Sequence, residues 1–158
     1  MAIITSDLKL PDYENEYYNV SVDTLGQSSK NDFTVFFNIP LEQVVQVRLL
    51  AAKINTTSNV VYMSIDQLDT NFSKKTVADL DSPNNKNELN RNFATIINDG
   101  TGVVYYKNNY NMAHQYLFPI QKLDRLSIKL RDETGAMLTG SNDNFFIFKF
   151  ICNKKNLQ

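Results

Sequence analysis

The run Asp32-Phe33-Thr34-Val35-Phe36-Phe37-Asn38-Ile39-Pro40 alternates in a way that only a strand can use. Phe33, Val35, Phe37 and Ile39 recur at a spacing of two, which sends them to one side of an extended chain while Thr34 and Asn38 go to the other. Such alternation predicts a half-buried strand. Pro40 has no backbone donor and is expected to close it. The next segment, Val44 to Ile54, reads as a second, longer strand with Val45, Val47, Leu49 and Ala51 on one face and Arg48 and Lys53 on the other. Val60 to Ile65 follows as a third, rich in β-branched and aromatic residues.

Outward from this block the same period returns. Leu126, Ile128 and Leu130 alternate with Ser127, Lys129 and Arg131, and Asp132-Glu133-Thr134-Gly135 supplies the turn after them. Phe145 to Cys152 is apolar on both faces, which predicts a strand in the middle of the fold. Phe93–Ile97 and Val103–Tyr106 read as the two arms of a hairpin around Asn98-Asp99-Gly100-Thr101-Gly102, where the glycines provide positive φ angles. Tyr17 to Val22 brings the count to about eight strands, spaced as in an antiparallel β-sandwich or barrel. The polar stretch from Asp66 to Arg91 reads as a long surface loop with one short helical turn over Lys74 to Leu80. No internal repeat is seen. The expected layout is an N-terminal arm over residues 1–16, one domain over 17–152 and a tail over 153–158.

Bulk properties narrow the function classes. A chain of 158 residues with 42% hydrophobic and 21% charged residues can bury one core without staples. Its formal net charge of −1 creates no global field for nucleic acid, so any contact with a genome has to be local and no specific nucleic-acid partner is expected. The apolar runs are too short to span a bilayer, and the first residues lack the pattern of a secretory signal. No membrane insertion is therefore expected. The single cysteine, Cys152, excludes an internal disulfide and suits a reducing compartment. The Asn-X-Ser/Thr sites at Asn19, Asn55 and Asn71 are what this asparagine-rich composition yields by chance.

Catalytic chemistry has few places to reside. His114 is the only histidine, and it has no nucleophile elbow, cysteine or carboxylate at ligand spacing. It reads as a loop or strand-edge side chain. Cys152, on an aromatic strand, reads as packing. The acidic pairs Asp66/Asp69, Asp79/Asp81 and Asp132/Glu133 lack the rhythm of a calcium loop. No glycine-rich phosphate loop is present; Gly135 and Gly140 flank a short connection instead. The expectation is a non-enzyme with no cofactor and no metal. Tyrosine is the informative surplus. Tyr13, Tyr17, Tyr18, Tyr105, Tyr106, Tyr110 and Tyr116 fall near strand ends and loops, where the residue is either half-buried or part of a protein interface.

Two stretches taken together resemble a known family. One runs from Asn31-Asp32-Phe33-Thr34-Val35 through Ile39-Pro40 to Val47-Arg48-Leu49-Leu50-Ala51-Ala52-Lys53-Ile54-Asn55-Thr56. The other runs from Phe118-Pro119 through Leu123-Asp124-Arg125-Leu126-Ser127-Ile128-Lys129-Leu130-Arg131-Asp132 to Gly135, and the aromatic strand from Phe145 follows. This is similar to the single jelly-roll capsid proteins of double-stranded DNA viruses and virophages, chiefly their penton and minor capsid proteins. The resemblance implies a single jelly roll and a place in the virion, with assembly in the host cell. A penton would form homopentamers at five-fold vertices and contact the major capsid protein. A minor capsid or cement protein is the alternative within the family. An alternative from another class is a carbohydrate-binding host-attachment module, with Asn108-Asn109-Tyr110-Asn111 and Tyr105-Tyr106 as its patch. The residues expected at interfaces are Tyr13, Tyr17 and Tyr18 in and beside the arm, Lys74 and Lys75 in the long loop, and Asn108 and Tyr110.

Overall fold

The computed structural model describes residues 14–68, 92–98, 102–107 and 113–154. Among these the chain is all-β. Its strands are β1 (Asn15–Asp23), β2 (Asp32–Asn55), β3 (Val60–Ile65), β4 (Ala94–Ile97), β5 (Val103–Lys107), β6 (Ala113–Arg131) and β7 (Phe145–Asn153), with one 3-10 turn over Asp66–Leu68. All pairings are antiparallel, and the sheet runs β1-β7-β2-β6-β3-β4 with β5 also on β2. This is one curled, seven-stranded sheet, in place of the eight separate strands expected from periodicity.

The difference in count lies in β2, where two expected strands are one of 24 residues. Pro40 does not end it. The missing donor falls in a gap of the β2–β6 ladder, because Phe36 pairs with Arg125 and the next pair is Leu41 with Leu123. A proline is tolerated where no ladder bond is required, so the strand bends and continues. Three residues later Gln43 takes a φ of 54°, a left-handed conformation unusual for a residue with a side chain.

Two further irregularities set which side chains face inward. Against β7, Val44 pairs with Cys152 and Gln46 with Ile151, then Leu49 with Phe148 and Ala51 with Ile147. Val45 and Leu50 are thus extra residues, and each flips the side-chain parity. Val44, Val47, Leu49, Ala52 and Ile54 are buried as a result, and the expected face of Val45, Val47, Leu49 and Ala51 is kept only at its centre. The inward residues of β7 are Phe146, Phe148, Phe150 and Cys152, which pair with Ala52, Leu49, Val47 and Val44. The phenylalanine rings sit 6.2–6.3 Å apart in a row along the strand. Leu126, Ile128 and Leu130 of β6 belong to the same buried core.

β4 and β5 do not pair with each other as a hairpin. β4 pairs with β3, Val60 opposite Ile97, and β5 pairs with the end of β2, Ala51 opposite Lys107. The residues that follow β4 and precede β5 both hold the β2–β3 link: Asn98 Nδ2 donates to the carbonyls of Thr56 and Ser58, and the Thr56 amide donates to the Gly102 carbonyl. Burial decides this split. Ala94 and Ile96 cover Val61 and Met63, whereas Val104 and Tyr106 cover Ile54 and Ala52.

One end of the sheet is closed by buried polar groups. Asn144 Nδ2 donates to the Lys30 carbonyl at 2.9 Å and to Asn31 Oδ1 at 3.2 Å, while its Oδ1 accepts from the Asn55 amide at 2.9 Å. Asn31 Nδ2 donates to the carbonyls of Leu138 and Gly140. Lys30 pairs with Asp143 at 2.9 Å beside them. β1 lies along β7 in unbroken register, from Asn15 opposite Asn153 to Asp23 opposite Phe145.

Candidate interaction surfaces

Of the residues expected at interfaces, Tyr13, Lys74, Lys75, Asn108 and Tyr110 lie outside the described residues, as do most of the long loop and the Lys74–Leu80 turn. Tyr17 and Tyr18 are both exposed on β1. As neighbours on a strand they face opposite ways and cannot serve one patch. Tyr17 stands on the outer face opposite Ile151, and Tyr18 on the inner side opposite Phe150, where its hydroxyl donates to Glu16. That bond, with burial and the charge of Glu16, raises the phenol pKa. The Tyr105-Tyr106 pair is divided in the same way. Tyr105 is 63% exposed, whereas Tyr106 is buried in the core.

Register places the outward side chains of β1, β7, β2 and β5 in four rows. Tyr17, Ile151 and Gln46 share one row; Asn19, Lys149 and Arg48 the next; Ser21, Ile147, Ala51 and Lys107 the third; Asp23, Phe145, Lys53 and Tyr105 the last. Lys149 Nζ lies 5.0 Å from the centre of the Tyr17 ring and Lys53 Nζ 6.0 Å from that of Tyr105, both within cation–π range. Phe145 and Ile147 are partly exposed between them.

The β2–β6 ladder opens at two places. Phe37 to Pro40 of β2 stand against Asp124 alone, and Tyr116 to Pro119 of β6 stand against Val45 alone. These bulges carry large apolar side chains into solvent: Leu117 is 89% exposed, Phe118 82% and Ile39 82%. Phe36, next to the first bulge, has the Arg125 guanidinium 5.6 Å from its ring centre. Ile39 was expected to share the buried face of Phe33. The register break at Pro40 turns it outward instead, a change that alternation alone cannot reveal.

The titratable candidates are held by packing and hydrogen bonds. His114 is buried near the start of β6, opposite Val47, so it is a strand residue and not a loop one. Its ring stacks on Phe93 at 4.5 Å and its Nε2–H donates to the Phe93 carbonyl. Burial lowers its pKa, and the bond to the Phe93 carbonyl opposes that shift. Cys152 is buried, and desolvation pushes its thiol up to about 11, which suppresses the reactive thiolate at neutral pH. Asp132 is engaged in its turn: Oδ1 accepts from the amides of Thr134 and Ala136 and from the Thr134 hydroxyl. It also borders an open polar cleft of about 380 Å³, lined by Asn55, Thr56, Thr57, Ser58, Thr139 and Asn142 among others. Among the described residues no three His, Cys, Asp or Glu side chains gather at a metal site, and no helix is long and apolar enough to cross a membrane. No protein-family model matches the chain, and no curated protein matches it.

Proposed function

We propose that this chain is a non-catalytic structural protein of a viral capsid, a penton whose copies join at five-fold vertices and meet the major capsid protein. A single jelly roll is part of the proposal. The resemblance of the Asn31–Thr56 and Phe118–Gly135 stretches to that capsid family motivates it. The observation that carries it is the exposure of Leu117 and Phe118 in the β6 bulge, with Ile39 in a separate bulge of β2, on an otherwise well-packed β core. Side chains of this size held in solvent on rigid strands mark a protein–protein contact. A ring of identical copies requires a heterologous contact that closes on itself, and projecting apolar bulges suit it.

The test is the mass of the purified protein in solution by light scattering and native mass spectrometry. A pentamer that dissociates to monomers in a Leu117→Asp, Phe118→Asp variant, with an unchanged circular dichroism melt, supports the reading. A wild-type protein that stays monomeric at high concentration and is absent from purified particles overturns it. Stoichiometry in particles separates a penton from a minor capsid protein.

A further inference from the structure

The outer face of β1-β7-β2-β5 concentrates cations in a chain whose formal net charge is −1. Arg48, Lys53, Lys107 and Lys149 all point outward there, with Asp23 at the edge as the sole carboxylate in the four rows. Arg48 and Lys149 are direct register partners on adjacent strands. Like charges opposite one another destabilise a sheet, and no ion pair among the described residues relieves these two. Such a local conflict, retained on an otherwise consistent fold, marks a functional surface.

Tyr17 and Tyr105 flank the cations on the same face, 51% and 63% exposed. Neighbouring strands are about 4.8 Å apart, and alternate residues along a strand about 6.8 Å. The cations therefore recur at the scale of successive phosphates, between two flat rings. A protein partner fits this poorly, because lysine is depleted in protein interfaces and burying unpaired cations is costly. A strand of phosphates and bases fits both features at once.

We infer that this face binds single-stranded nucleic acid without sequence preference, phosphates meeting Arg48, Lys53, Lys107 and Lys149 and bases stacking on Tyr17 and Tyr105. The inference does not depend on the capsid reading.

The test uses the full chain and a fluorescently labelled 20-nucleotide oligothymidylate, read by anisotropy. Four phosphate contacts on a single strand predict an affinity that falls roughly 50-fold between 50 and 200 mM salt. Lys53→Gln with Lys149→Gln should weaken binding and shallow that salt dependence. Tyr105→Ser should weaken binding about 5-fold or more while leaving the salt dependence intact. Melting curves for each variant show that the fold is kept. Absence of binding at 50 mM salt overturns the inference, as does binding that survives the lysine changes. Tyr105→Ser binding as well as the wild type, with heparin competing equally, overturns it too, since the face would then be a general polyanion site. Salt-sensitive self-association abolished by the lysine variants, without oligonucleotide binding, would assign the face to an acidic surface of a second copy.

Discussion

Asn144 shows how one polar side chain can hold three segments of a β fold. It is buried and joins the Lys30 carbonyl, Asn31 Oδ1 and the Asn55 amide, so the β1–β2 link, the end of β2 and the start of β7 meet on a single amide. Asn144→Ala leaves those groups buried without partners, at about 1–3 kcal/mol for each unsatisfied group. A drop of at least about 2 kcal/mol in urea unfolding is expected, with Asn142→Ala, an exposed neighbour, near neutral. His114 makes a pH-dependent case. Its folded pKa lies below the ordinary value of 6.5, so the unfolded state binds the proton more readily. The stability it contributes is complete above pH 6.5 and is lost as pH falls through and below that value. The denaturation midpoint should therefore decline between pH 7 and 5, and His114→Gln, which keeps a donor for the Phe93 carbonyl but cannot titrate, should flatten the decline. Neither role is legible in the sequence. An isolated histidine or asparagine carries no periodic signal, and its partners lie 21 to 114 residues away.

At the scale of elements, β7 and β2 contrast in how much their sequences disclose. β7 keeps a strict period of two, and its inward residues are the ones alternation selects. Phe148 is fully buried among Phe93, Phe146 and Phe150, so Phe148→Ala should cost about 3–5 kcal/mol by calorimetry or urea unfolding. β2 hides its continuity. Its bulges at Val45 and Leu50 reset parity, and the bend at Pro40 resembles a stop, because a missing donor looks the same whether a strand ends or merely skips a bond. Gln43 offers a test of the bend. With φ at 54°, Gln43→Gly should raise stability or leave it unchanged, whereas Gln43→Val should lower it by about 1–2 kcal/mol. The two substitutions would act alike if the residue were in ordinary extended backbone. The split of β4 from β5 was also out of reach, since the Asn-Asp-Gly link fits a tight hairpin locally and only the core assigns each strand to a different neighbour.

For the whole molecule, the all-β class and the position of the core follow from periodicity, while the curl of the sheet and its exposed surfaces come from irregularities that periodicity averages away. The apolar bulges and the cationic face lie on different parts of the sheet, which makes their contributions separable. Leu117→Asp with Phe118→Asp should abolish assembly and spare oligonucleotide binding measured per chain. Lys53→Gln with Lys149→Gln should do the reverse. Loss of both functions in either variant, with the fold intact, would show that the two surfaces act as one.

The pairing of Asn15 with Asn153 carries a mechanical consequence. β1 begins and β7 ends at one point of the sheet, so tension between these two strand ends opens β1 from β7 a single rung at a time, as a zip opens, and never loads the rungs together in shear. Yielding at low force is expected in an optical trap when handles are attached at these ends. The same closeness allows a short peptide to join Asn153 back to Asn15 in a ring, and a permuted chain opened at the exposed Leu25 turn should refold around the same core.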